Sequence, residues 1–321
     1  MKILFTCGGT AGHVNPAVAL AQMFQARNPG CRVLFVGADG GMETRLVPKE
    51  GYEIETVTIT NFRRSLHPAA IVHNGKTLLN MNRSKRQADA ILDRFQPDLV
   101  VGTGGYASFP VVKAAAKRGI PTAVHESNAV PGLTTKTLSK VVDVVMVGFE
   151  ESRSHYDDPG KVVVTGTPVR TDFFRYTRKE ARAELGLTDD RPLVLSVWGS
   201  LGAEVMNCQM AECIALECRD GAPFHHIHGA GRDYRAVLVP SPNVVADHQT
   251  KNARVLANAG GAVLLPEGES SGEKLYALMT GLLSDAPRRE AMSRALRDMA
   301  VPDAAEQIYQ TLVRLMEKRA N

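Results

Sequence analysis

The chain has 321 residues, 44% of them hydrophobic and 22% charged, which excludes a disordered chain and suits two domains with a core each. Its net charge of +4 is a mild excess, well short of a nucleic-acid-binding balance. No run approaches the roughly 20 apolar residues of a membrane span and no charged leader precedes an apolar stretch, so any membrane contact is expected to be peripheral. Cysteines 7, 31, 208, 213 and 218 form no C-x-x-C pair, which suits a reducing compartment.

Short apolar runs alternate with amphipathic segments along the first half. Strands are predicted at residues 3–7, 33–36, 99–101, 122–124 and 144–147, with helices at 16–26, 43–50 and 110–118. This is the pattern of parallel βαβ units and hence of a doubly wound sheet. After a short strand at 162–165, the turn Gly166-Thr167-Pro168-Val169-Arg170 reads as an interdomain joint. The layout then restarts with a polar helix at 178–185, a strand at 193–197 and a helix at 203–216. Further strands are predicted at 236–239 and 262–265, and helices at 272–284, 288–299 and 303–318. We place the N-terminal domain at 1–165, with the last helix (303–321) packing back on it, and the C-terminal domain at 166–302.

Three glycine-rich turns follow predicted strands: Gly8-Gly9-Thr10-Ala11-Gly12-His13, Gly102-Thr103-Gly104-Gly105-Tyr106 and Gly199-Ser200-Leu201-Gly202. Such turns let backbone N–H groups approach an anion, and the helix dipole adds favourable potential. A tight turn without a ligand is the ordinary alternative for any one of them; three at strand C-termini point to anion-binding loops. None is G-x-G-x-x-G, so the dinucleotide fingerprint is absent. Gly9, Gly104, Gly105 and Tyr106 are the candidate diphosphate-loop residues. His13 directly after the first turn is the candidate general base, against a capping or core histidine as the alternative.

No Asp-x-Asp occurs, so a metal-bridged diphosphate is not indicated and no cofactor is implied. The cluster His225, His226 and His228 reads as alternate positions of a strand end in preference to a metal site. Between residues 61 and 87 the positive residues Arg63, Arg64, Lys76, Arg83, Lys85 and Arg86 occur with no acid, interleaved with apolar residues. That segment suits an anionic membrane surface, with a solvated helix as the alternative.

The stretches GGTAGHVNP (8–16), GTGGY (102–106), HESN (125–128), TPVR (167–170), GSLGA (199–203), PSPNVVADHQTKNA (240–253) and PDAAE (302–306) occur in one order along nearly the whole chain. Together they resemble the MurG family of UDP-N-acetylglucosamine transferases. The resemblance implies the α/β GT-B fold, two Rossmann-like domains facing a cleft. It implies inverting transfer of N-acetylglucosamine from UDP-N-acetylglucosamine to the C4 hydroxyl of the undecaprenyl-diphosphate-linked muramyl peptide in peptidoglycan synthesis. It further implies a peripheral location on the cytoplasmic face of the bacterial membrane. It adds an acceptor role for the loop residues Gly9, Gly104, Gly105 and Tyr106. Its donor contacts fall on Thr10, Ala11, Gly12, Asn128, Arg170, Ser200 and Gln249. Asn252, three residues after Gln249, shares a helix face with it.

The chain departs from the family where Ala11 and Trp198 replace common glycines. The larger departure is a gap between Tyr234 and Arg235, where the family carries a further strand, loop and helix start that bracket the nucleotide. A shortened second domain is therefore expected, with exposed apolar surface and weakened donor binding. The rival readings are an inactive or impaired paralogue, a UDP-sugar epimerase on the same fold and, last, a nicotinamide-dependent oxidoreductase.

Overall fold

The computed structural model describes residues 1–59, 68–170, 174–198, 203–229 and 248–320, with the backbone alone for 68–79, 248 and 320. The chain divides into two compact units, Met1–Phe173 with Val301–Asn321, and Phe174–Ala300. Among the described residues no helix is long and apolar enough to cross a membrane.

Unit 1 runs β1 (Lys2–Thr6), α1 (Ala11–Arg27), β2 (Arg32–Ala38), α2 (Glu43–Lys49), β3 (Ile54–Val57), α3 (Pro68–Phe95), β4 (Leu99–Gly102), α4 (Ser108–Lys117), β5 (Thr122–Glu126), α5 (Leu133–Leu138), β6 (Val144–Val147) and β7 (Val162–Val164). The strands form one seven-stranded sheet in the order β3-β2-β1-β4-β5-β6-β7, parallel throughout. The order reverses between β1 and β4, the switch point at which doubly wound sheets bind ligands. Because both faces are covered, the central strands are continuous apolar runs whose alternate residues enter opposite cores. Leu4 and Val100 pack on one side with Ile91, Leu92, Val111 and Val112. Ile3, Phe5, Leu99 and Val101 pack on the other with Phe24 and Phe35.

Unit 2 runs α6 (Arg178–Glu184), β8 (Leu193–Val197), α7 (Glu204–Arg219), β9 (His225–Gly229), α8 (His248–Asn258), α9 (Gly272–Ser284) and α10 (Ala286–Met299). Thr177 and Glu180 form a capping box at the start of α6. β8 and β9 pair in parallel as a two-stranded sheet. Among the described residues Trp198, Met206, Met210, Cys213 and Leu275 form its core cluster. Leu195 in the middle of β8 is 60% exposed.

The final helix, α11 (Ala304–Ala320), belongs to unit 1. Ile308 and Leu312 are fully buried in the core that α1 also lines, and Tyr309 packs on Phe24 at 4.8 Å between ring centroids. Arg27–Glu306 (2.7 Å) and Arg319–Asp143 ion pairs fasten its two ends.

Two expectations are corrected. Helix α1 begins at Ala11, ahead of Pro16, because Thr10 is an extended N-cap whose carbonyl accepts from the N–H of His13 (3.1 Å) and Val14 (3.3 Å). His13 is thus in the first helical turn, and Pro16, inside the helix, leaves the Gly12 carbonyl without the N–H that would otherwise reach it. Residues 262–265 do not form a strand: no ladder partner pairs with this apolar run among the described residues, and Val263 is 36% exposed. The strand expected at 236–239 lies outside the described residues.

Candidate functional site: two glycine-rich loops at the switch point

The first loop connects β1 to α1, and the second connects β4 to α4. They lie at the C-terminal ends of adjacent parallel strands and pack directly on each other. The Thr103 N–H donates to the Thr6 carbonyl (3.0 Å), and the Thr103 hydroxyl donates to the His13 carbonyl (2.6 Å). Ser108 Oγ is within hydrogen-bond distance of the carbonyls of both Thr6 (2.9 Å) and Gly104 (2.8 Å). A Cβ on Gly105 would lie 2.1 Å from the Gly8 oxygen, and one on Gly104 would lie 2.6 Å from Cδ2 and 2.9 Å from Nε2 of His13. Gly104 and Gly105 also have left-handed backbones, with φ of +111 and +82 respectively. The glycines of the second loop are therefore there to let the first loop, and its histidine, approach.

His13 is half-buried on α1. Its Nδ1 lies 2.7 Å from the Gly8 carbonyl oxygen and 3.4 Å from Thr10 Oγ1. A carbonyl only accepts, so this contact requires a proton on Nδ1 and, in the neutral imidazole, leaves Nε2 with the lone pair. That is the tautomer of a base working through Nε2. Thr10, Ala11 and Gly12 occupy the N-cap and the first two helical positions, whose N–H groups have no acceptor within a helix and favour an anion.

A residue that carried no role in the sequence reading, Glu43, lies beneath both loops. It is fully buried, with Oε1 accepting the Ala38 N–H (2.8 Å) and Oε2 the Gly9 N–H (3.1 Å). What Gly9 brings to the loop is thus its left-handed bend (φ +86), since its N–H is already taken. Burial, with the nearby Glu43 charge, pushes the Cys7 thiol and the Tyr106 phenol up from their ordinary ranges. Tyr106 is half-buried beside the first loop.

Asn128 follows β5 and is held by Glu126, which is also buried: Oε1 accepts the Asn128 backbone N–H (3.1 Å) and side-chain Nδ2–H (2.7 Å), and Oε2 accepts the Gly132 N–H (3.0 Å). His125 is buried with Nε2 3.0 Å from the Gly166 carbonyl, and burial lowers its pKa. Arg170 pairs with Glu50 just after α2 (2.7 Å), with both side chains about one-third exposed.

A family model for the N-terminal domain of glycosyltransferase family 28 matches residues 3–147, and the model for the C-terminal domain matches residues 232–308. A relative from Thermoanaerobacter sp. (strain X514), a UDP-N-acetylglucosamine–N-acetylmuramyl-(pentapeptide) pyrophosphoryl-undecaprenol N-acetylglucosamine transferase, is 36% identical over 364 aligned positions. The alignment covers 97% of this chain and 99% of the relative. This chain belongs to that family of transferases. The solved structure of Acinetobacter baumannii MurG agrees, with a TM-score of 0.70 at 25% identity over 98% of this chain and 99% of that one. The fold is accordingly the GT-B fold of the MurG family. A Neisseria meningitidis UDP-N-acetylglucosamine 2-epimerase matches with a TM-score of 0.62 at 13% identity over 98% of this chain and 100% of that one, a likeness of fold alone.

The 364 aligned positions exceed the 321 residues of the chain, so the MurG-family relative has residues with no counterpart here. The Tyr234–Arg235 junction itself, and Ser200 with the third glycine-rich turn, lie outside the described residues. Gln249 and Asn252 stand in the first turns of α8, three residues apart and so on one face.

The His225, His226 and His228 group is absorbed by unit 2 itself. His225 pairs with Asp189 (2.7 Å), and His226 Nδ1 is 2.8 Å from both oxygens of the buried Glu217. His226 and His228 both contact Ser196 Oγ, and burial together with His226 lowers the His228 pKa. Ser196 and Glu217 are the buried members of this group, on β8 and α7.

Sequence reasoning missed Glu43 and the work of Glu126. Glu43 is a lone acid in a glycine-rich neighbourhood whose partners are backbone N–H groups, and Glu126 accepts two backbone N–H groups and the Asn128 amide. Gly40-Gly41, separated from Glu43 only by Met42, was the available signal.

Proposed function

We propose that this chain transfers N-acetylglucosamine from UDP-N-acetylglucosamine to the C4 hydroxyl of the N-acetylmuramyl residue of an undecaprenyl-diphosphate-linked peptide. The supporting observation is the His13 tautomer: Nδ1–H is committed to Gly8 and Nε2 is left as a proton acceptor. The acceptor hydroxyl attacks C1 of the donor sugar as its proton passes to Nε2 of His13. The C1–O bond to the diphosphate breaks in the same displacement, the anomeric centre inverts and UDP leaves with the bonding pair. First-turn N–H groups at Thr10, Ala11 and Gly12 suit the developing negative charge, together with Arg170 once it is released from Glu50. Asn128, Ser200, Gln249 and Asn252 are the remaining donor contacts in this reading. Gly104, Gly105 and Tyr106 serve the acceptor loop. The relatives named as transferases favour this over the epimerase, whose likeness is of fold alone.

The acceptor places the reaction at a membrane surface, and we assign the protein a peripheral position on the cytoplasmic face. Arg83, Lys85 and Arg86 stand exposed on α3 and suit anionic headgroups. The other basic residues of that segment, Arg63, Arg64 and Lys76, lie outside the described side chains.

The test is transfer of labelled N-acetylglucosamine from UDP-N-acetylglucosamine to lipid-linked acceptor in vesicles with and without anionic lipid. Labelled lipid product is expected, formed faster on anionic vesicles. A folded protein that forms no product contradicts the transferase assignment. Equal rates on both vesicles contradict the anionic-surface part alone.

A further inference from the structure

The peptide joining Gly8 and Gly9 is gripped at both ends. Its N–H, on Gly9, donates to Glu43 Oε2 (3.1 Å). Its carbonyl, on Gly8, accepts the Nδ1–H of His13 (2.7 Å). In a trans peptide these two groups point in opposite directions across one rigid plane. The carboxylate of Glu43 and the imidazole of His13 are therefore connected through a single amide.

The carboxylate is fixed in turn. Its other oxygen accepts the Ala38 N–H (2.8 Å), and the residue is fully buried. Gly8, Gly37 and Gly41 close around it so tightly that a Cβ on any of them would come within 2.7, 2.3 and 2.4 Å of its side-chain atoms. An ionised carboxylate is costly to bury, and backbone N–H donors offset that cost only when aimed at it, as here. Loop shape alone would be served more cheaply by a neutral acceptor or an apolar side chain.

We propose that Glu43 is a positioning residue for His13, acting through the Gly8–Gly9 peptide. It sets the plane of that peptide, so the Gly8 carbonyl faces Nδ1 and holds the proton there. A negative acceptor on the amide N–H also polarises the carbonyl at the far end, which strengthens its hold on Nδ1–H. The imidazole is thereby kept in the tautomer whose Nε2 takes the hydroxyl proton, and the imidazolium formed on transfer is stabilised. A carboxylate does this by direct contact in hydrolase triads; here one amide is interposed. The proposal rests on the reading of His13 as the base.

The substitution that tests it is Glu43→Gln. The amide has one acceptor oxygen and one NH2, so either Gly9 or Ala38 loses its acceptor. Nitrogen-15 NMR of imidazole-labelled protein above neutral pH reads the tautomer independently of turnover. The wild type is expected to carry the His13 proton on Nδ1, and Glu43→Gln to shift it towards Nε2. In kinetics, kcat is expected to fall about 10- to 100-fold, the scale of a small misplacement of a catalytic group, with the KM for UDP-N-acetylglucosamine little changed. In a His13→Ala background Glu43→Gln is expected to have no further effect on kcat, since residues acting as one unit are not additive. Should Glu43→Gln fail to fold, Glu43→Asp, whose shorter arm reaches one N–H only, takes its place.

A wild-type His13 protonated on Nε2 overturns the proposal whatever the variants do. So does a Glu43→Gln protein with wild-type tautomer and kcat, or one whose loss is the same with and without His13. If His13→Ala alone keeps full turnover, the base reading fails while the tautomer measurement still judges the link to Glu43.

Discussion

Replacing His13 with alanine is expected to lower kcat by about 10²- to 10⁴-fold, the usual contribution of a positioned general base. Donor affinity should change little, because the imidazole takes its proton from the acceptor hydroxyl. The fold should survive: the substitution removes one half-buried ring and one hydrogen bond to Gly8, worth about 1 kcal/mol. Steady-state transfer kinetics with both substrates, alongside a thermal melt, check all three statements. Turnover within a few-fold of wild type in a folded variant would remove His13 from the chemistry.

The second large effect is structural. In Gly105→Ala the new methyl would meet Gly8 backbone atoms, the oxygen at 2.1 Å and the carbonyl carbon at 2.7 Å. No side-chain rotation relieves that clash, and φ is already +82. The two loops must separate, which strains the Thr103 contact to the His13 carbonyl. Left-handed strain and overpacking together cost about 2–5 kcal/mol. Gly119→Ala is the control: its φ is +73, yet nothing lies within 4 Å of its would-be Cβ. It should lose only the strain, about 1 kcal/mol. Denaturant unfolding of the two variants compares them, and Gly105→Ala should also lose transfer activity. Equal destabilisation would mean that the loops are not packed as described.

Much of unit 1 is legible in the sequence because its strands are buried on both faces. Runs such as Leu99-Val100-Val101 have no polar face to obscure them. β3 was not anticipated: Ile54-Glu55-Thr56-Val57 is short, half polar and at the sheet edge. Residues 262–265 mislead in the opposite way, since an apolar run forms a strand only where a ladder accepts it. The start of α1 was read late because Pro16 resembles a helix start, whereas the extended Thr10 is the cap.

The first two loops and the place of His13 beside them were legible because they are runs of adjacent residues and glycine spacing announces the turns. Glu43 was not, because its meaning depends on Gly9 from one loop and Ala38 from the end of β2 converging on it. Local pattern carries no trace of that convergence. Arg170 shows the same limit: its partner Glu50 is distant in sequence, so a cation at the joint could be seen but its ion pair could not.

This MurG-family chain works as a UDP-N-acetylglucosamine transferase although its 321 residues are fewer than the 364 positions of its alignment with the Thermoanaerobacter relative. Calorimetric titration of the purified chain with UDP-N-acetylglucosamine, with a thermal melt of the same sample, tests it most directly. Micromolar binding by a protein that melts cooperatively is the expected result. A cooperatively folded protein that takes up no UDP-N-acetylglucosamine would contradict the account and identify the chain as an inactive paralogue.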